Sequence, residues 1–229
     1  EIGVRLVGSE MCIRDKPKIM TVYGTRPEAI KVAPVVSALQ DDSRFESVVV
    51  STGQHREMLE QVNKRFGITP DQDMALMKPG QTLNELVARA IQGLDPIIEE
   101  EKPDVIISQG DTSTAMVAAL AGFHKGVKVV HLEAGLRTGN IFSPFPEEAN
   151  RKIIGQIASL HLAPTNESRE NLRRENFRSK DIVVTGNTVI DALIAASEWD
   201  VQFDDSRLEE LRNSNEKLVL VTTPVSYTH

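Results

Sequence analysis

A chain of 229 residues with 40% hydrophobic and 26% charged residues has room for one large domain, or one and a half ordinary ones. Its net charge of −7 argues against a general nucleic-acid surface, and no apolar run approaches the roughly 20 residues of a membrane helix. The single Cys12 cannot form an internal disulfide, no Cys/His cluster has metal spacing, and the first residues lack the apolar stretch of a signal peptide, so a reducing cytoplasm is the expected location, with neither nucleic acid nor membrane as partner.

Residues 1–16 show no helical or strand periodicity and are expected to be a foreign or disordered segment. The first strand, Ile19–Tyr23, runs into Gly24-Thr25-Arg26-Pro27-Glu28-Ala29-Ile30-Lys31. Gly24 permits a tight turn, and Pro27 suits the first position of a helix because its missing N–H is unpaired there anyway. Arg26 is thereby fixed at the carboxyl end of a strand beside the positive end of a helix, where open α/β sheets bind anions. A permanent guanidinium charge there suits a phosphate or diphosphate. The plainer reading is an ordinary β–α turn with a solvated arginine. Neither the P-loop spacing nor G-x-G-x-x-G is present.

Further apolar runs lie at Ser47–Ser51, Met74–Met77 (the weakest), Val105–Ser108, Val127–Leu132, Leu160–Ala163 and Ile182–Thr185. They are continuous rather than alternating, as in strands buried on both faces. Helical patterns fall between them near Pro27–Leu39, Arg56–Phe66, Leu83–Glu101, Ser113–Lys125, Glu148–Ser159, Glu167–Glu175 and Val189–Ser197. The alternation predicts an α/β fold, a doubly wound, Rossmann-like parallel sheet with right-handed crossovers over residues 17–200. Asp200–Asp205 is the expected linker. Residues 201–223, with a short helix at Leu208–Leu211 and a strand at Lys217–Thr223, would start a second, truncated domain, and 224–229 would be a foreign tail.

In such a sheet the chemistry sits where strands end and helices begin. Four junctions carry polar groups that a plain connection does not require. Arg26 has Lys31 about one helical turn further on. Asp111 follows a strand in Gln109-Gly110-Asp111-Thr112-Ser113-Thr114, where Thr112 or Ser113 can cap the helix and leave Asp111 free. Glu133 follows a strand in His131-Leu132-Glu133-Ala134-Gly135-Leu136-Arg137, and Glu147 and Glu148 follow two prolines at a helix start. Each has a structural reading: Asp111 as a helix-end charge, Glu133 paired with Arg137, Glu147 and Glu148 as dipole partners. His55 could touch ligand or have a cap or surface role, the Gly186-Asn187-Thr188 turn could line the cleft or merely cap the next helix, and His124 and His161 read as structural. Three carboxylates and two cations on one edge nonetheless suggest an enzyme moving protons on an anionic ligand.

These residues resemble the bacterial non-hydrolysing UDP-N-acetylglucosamine 2-epimerases. The resemblance rests on Gly24–Lys31, Gly53–Leu59, Gln109–Thr114, His131–Arg137, Pro146–Arg151 and Val184–Asp191, in order, across roughly Pro17 to Thr223. It implies the first domain of a GT-B-type two-domain fold, with an interdomain active site and a homodimer when full length. It also implies interconversion of UDP-N-acetylglucosamine and UDP-N-acetylmannosamine by UDP elimination to a 2-acetamidoglucal and re-addition, with no redox cofactor. Arg26 and Lys31 would bind substrate, Asp111, Glu133 and Glu147 would be catalytic, and Gln54 falls in a motif tied to a regulatory site. The pattern departs at Pro224, where the family places a catalytic histidine, so an incomplete, inactive fragment is expected. A GT-B glycosyltransferase, a hydrolysing epimerase and a non-enzymatic nucleotide-sugar sensor are the alternatives.

Overall fold

The computed structural model describes residues 16–53, 56–201, 205–214, 217, 219 and 221. Gln54, His55 and the segments 1–15 and 222–229 lie outside the described residues, as does most of the strand expected at Lys217–Thr223. The chain divides into two compact units, Glu1–Leu193 and Ile194–His229.

The strands are β1 (Lys18–Tyr23), β2 (Glu46–Ser51), β3 (Gln72–Asp73), β4 (Val105–Gln109), β5 (Lys128–Leu132), β6 (Leu160–Ala163) and β7 (Ile182–Val184). The helices are α1 (Arg26–Asp41), α2 (Arg56–Phe66), α3 (Leu83–Glu101), α4 (Ser113–His124), α5 (Glu147–Ile157), α6 (Asn166–Arg174), α7 (Thr188–Ser197) and α8 (Ser206–Arg212). The strands form one sheet in the order β3-β2-β1-β4-β5-β6-β7, parallel at every pairing. The expected doubly wound architecture is therefore observed, and the order reverses direction between β1 and β4.

Side chains alternate across each strand, which is why the apolar runs serve two cores. From β1, Ile19 and Tyr23 join Val32, Val36 and Leu59 in a cluster with α1 and α2. Met20 and Val22 join Leu94, Ile98, Val117 and Ala118 in a cluster with α3 and α4 on the other face. Small residues in α4 let it lie close on the sheet: a Cβ added at Gly122 would stand 2.7 Å from Ile106 Cδ1.

The weak third strand forms at Gln72–Asp73 rather than Met74–Met77, because ladder and apolar run separate here. Gln72 and Asp73 pair with Val50 and Ser51, and the Asp71 carboxylate accepts the Val49 N–H at 2.8 Å. Ala75, at φ 47°, turns the chain out of the strand, while Met74 and Leu76 pack against the core cluster with α3. Helix α1 also begins one residue before Pro27, at Arg26, with Thr25 as its cap.

Gly24 is needed for close approach: a Cβ there would lie 2.1 Å from Thr52 Oγ1 and 3.0 Å from Thr114 Oγ1. Gly24→Ala is expected to destabilise the fold by about 1–3 kcal/mol through overpacking, read as a lowered urea midpoint at unchanged slope. An unshifted midpoint would show that the turn can relax.

In the second unit, Asp205 caps α8 by accepting from Arg207 N at 2.9 Å. Arg212 meets Asp200 and the Val201 carbonyl, each at 2.6 Å. Among the described residues no helix is long and apolar enough to cross a membrane.

Candidate active site

Because every strand runs the same way, the segments after β1, β4 and β5 emerge on one edge. Arg26, Asp111 and Glu133 therefore share the carboxyl edge. Arg26 opens α1, is exposed, and has no ion pair among the described residues. The loop behind it is fixed by Glu28, which is 3% exposed. Glu28 Oε2 accepts the N–H groups of Gly24 at 2.8 Å and Thr25 at 2.7 Å, and Oε1 accepts the Thr112 hydroxyl at 2.5 Å. Burial pushes the Glu28 carboxyl above its ordinary pKa, and these donors partly oppose the shift. Thr112 also caps α4 by accepting from Ala115 N at 3.1 Å.

Glu133 stands at φ 68°, a left-handed conformation that a residue with a Cβ takes only when its surroundings hold it there. Lys31 Nζ meets both its oxygens, at 2.7 and 2.6 Å. Gln109 Nε2 donates to Oε2 at 2.7 Å, and Asn187 Nδ2 to Oε1 at 3.1 Å. The Glu133–Arg137 pair of the structural reading does not form. The chain turns at Gly135 (φ 87°), and Arg137 instead grips both carboxylate oxygens of Glu175 at 2.9 and 2.8 Å. Two cations, Arg137 and Lys152, hold the Glu175 carboxyl down to about 2.

Asp111 lies against the first turns of α5. Arg151 Nη2 donates to its Oδ2 at 2.5 Å, and Asn150 Nδ2 to its backbone carbonyl at 2.8 Å. Glu148 is more than a dipole partner. Fully buried, it accepts from Arg151 Nη1 at 3.1 Å and from the N–H groups of Thr138 and Gly139 at 3.2 and 3.3 Å. Glu147, the first residue of α5, has a buried Oε2 with no hydrogen-bond partner among the described residues. Behind Asp111, His131 is buried with its Nε2 2.7 Å from the Gly110 carbonyl. His161 is buried too, its ring 4.8 Å from that of Phe177, as its structural reading expects.

The structure thus brings Lys31 to Glu133, sets Asp111 against the helix that Glu147 opens, and leaves Arg26 open at the same edge. Sequence reasoning missed Glu28, Gln109, His131, Asn150 and Arg151 as parts of this site, and left Asn187 undecided. Their position inside the same strand-end motifs was the signal that could have found them.

The fold is the Rossmann-like α/β unit of GT-B enzymes. At the level of fold alone it resembles the lipopolysaccharide outer core galactosyltransferase WaaB (TM-score 0.54, 15% identity, covering 74% of this chain and 45% of that one). The family model for UDP-N-acetylglucosamine 2-epimerase matches residues 37–224, and the chain belongs to that family. A Salmonella typhimurium UDP-N-acetylglucosamine 2-epimerase is 50% identical over 210 residues, covering 90% of this chain and 56% of that protein. The crystal structure of UDP-GlcNAc 2-epimerase from Neisseria meningitidis bound to UDP-GlcNAc matches at 46% identity and TM-score 0.77, covering 86% of this chain and 50% of that one. The chain spans about half the length of the curated relatives it matches.

Proposed function

We propose that this chain carries the first half of the machinery of a non-hydrolysing UDP-N-acetylglucosamine 2-epimerase. One observation carries the reading: at a single sheet edge, three carboxylates stand in three different settings beside an arginine that has no ion pair among the described residues. Glu133 is saturated by Lys31, Gln109 and Asn187. Asp111 is bound to Arg151 through one oxygen, and Glu147 has an oxygen without a partner among the described residues. Carboxylates held so differently are suited to giving and taking protons in one cycle.

In the forward direction a base removes the C2 proton of UDP-N-acetylglucosamine as the C1–O bond to UDP breaks. The electron pair of the C–H bond becomes the double bond of a 2-acetamidoglucal, and UDP leaves with the electrons of the C1–O bond. Arg26 and the N-terminus of α1 would hold the departing diphosphate. Re-addition of UDP at C1, with protonation of C2 on the opposite face, gives UDP-N-acetylmannosamine. Asp111 and Glu147 fit the proton transfers, and Glu133 with Lys31 fits a fixed charge pair that orients the sugar. Gln54 stays a candidate for a regulatory site.

The test incubates this chain, completed with the second half of its Salmonella relative, with UDP-N-acetylglucosamine in deuterated water. Epimeric UDP-sugar carrying deuterium at C2 is expected. Free N-acetylmannosamine would instead indicate a hydrolysing enzyme, and sugar transfer to an acceptor a glycosyltransferase.

A further inference from the structure

We propose that Arg151 is a positioning residue that holds Asp111 by one carboxylate oxygen and leaves the other, Oδ1, to exchange the proton; this rests on the role given to Asp111 above. Its guanidinium forks between two carboxylates, with Nη2 on Asp111 Oδ2 and Nη1 on Glu148 Oε2. Glu148 is the anchor of this fork. It is fully buried and tied to the backbone at Thr138 and Gly139, so the arginine cannot swing without leaving a buried carboxylate without its counterion. The Arg151 side chain is itself only 13% exposed.

The neighbouring residue grips the same target. Asn150 binds the Asp111 carbonyl, and His131 binds that of Gly110 just before it. Asp111 is therefore fixed in both main chain and side chain, and among the described residues its Oδ1 accepts no hydrogen bond. A planar guanidinium can bridge two carboxylates in this way, whereas the point charge of a lysine can neutralise one without orienting the other. A mere counterion for Glu148 would have no need to reach Asp111. That difference makes the proposal testable.

Two variants of the completed enzyme separate positioning from folding. Arg151→Lys keeps a cation beside Glu148. The double variant Arg151→Ala/Glu148→Gln removes the buried charge together with its partner. Both are expected to lose about 10²-fold in kcat with KM changed by less than about threefold, because a misplaced catalytic group loses turnover before it loses binding. Added guanidinium should restore part of the turnover of the double variant, and none to Asp111→Asn. Wild-type kcat in either variant, a rise in KM alone, or no rescue would overturn the proposal. An activity-independent check is a double-mutant cycle on the 229-residue chain with Arg151→Lys and Asp111→Asn, read by thermal unfolding. Non-additive midpoint shifts support the contact, and additive shifts overturn it. If the wild-type enzyme fails to epimerise, the functional reading falls, and the cycle still decides whether Arg151 holds Asp111.

Discussion

Asp111→Asn in the completed enzyme is expected to lower turnover by about 10²–10⁴-fold, the usual contribution of a general acid or base. Substrate affinity should change little, because the amide keeps the size and polarity of the carboxyl group. The fold should survive as well. Arg151 loses one partner but keeps Glu148, and the Asp111 main chain keeps its bond from Asn150. Steady-state kinetics on purified variant and wild type, with circular dichroism as the folding control, give the answer. Near-normal kcat would mean that Asp111 is structural, and a loss confined to KM would make it a binding group.

The second large effect is acid lability. Among the described residues His131 Nε2 faces only a carbonyl, so that nitrogen carries the hydrogen, and its buried Nδ1 has no partner. Burial, then the nearby charges of His161, Arg137 and Arg151, pushes the imidazole down to about 4, against a partial rise from the Gly110 bond. In the unfolded chain a histidine titrates near 6.5. Between these values the unfolded chain binds a proton that the folded one refuses, so stability is full above about pH 6.5 and falls as pH drops toward 4. Burial shifts His161 the same way. Glu28 works in the opposite sense: its raised pKa favours the folded state at low pH, and that contribution wanes as pH rises through its folded value.

Comparison with His131→Gln isolates the imidazole, because the amide can still donate to Gly110 and does not titrate. From pH 7 to pH 5 the wild-type chain should lose roughly 2 kcal/mol more stability than the variant. Urea titrations at both values measure the difference. Equal losses would mean that His131 is not held neutral in the folded chain.

Most of the fold was legible because buried parallel strands are written as continuous apolar runs, and these fixed the strand–helix alternation from Ile19 to Val184. The third strand was misplaced because pairing there depends on the Asp71 carboxylate and the turn at Ala75, while the apolar residues beyond it serve a helix. In the site, the residues that open helices or end strands could be named, since chain order alone puts them on one edge. Their partners could not. Lys31 and Glu133 are 102 positions apart, and Arg151 and Asp111 are 40 apart. Which side chains meet depends on which loops adjoin across the sheet. Closeness in sequence suggests Arg137 as a partner in the structural reading of Glu133, whereas the turn at Gly135 sends it to Glu175.

The Glu28 carboxylate joins two segments that are 84 positions apart in the chain, one led by Arg26 and the other by Asp111. Beyond the β1–β4 pairing that brings the two loops side by side, one side chain thus ties them together. For engineering, the two loops form one transferable module. Grafting Gly24–Lys31 into another doubly wound sheet without a hydroxyl at the position of Thr112 would leave a buried carboxylate oxygen unsatisfied. Library designs that vary Thr112 independently of Glu28 should therefore yield far fewer folded members than designs that vary them together.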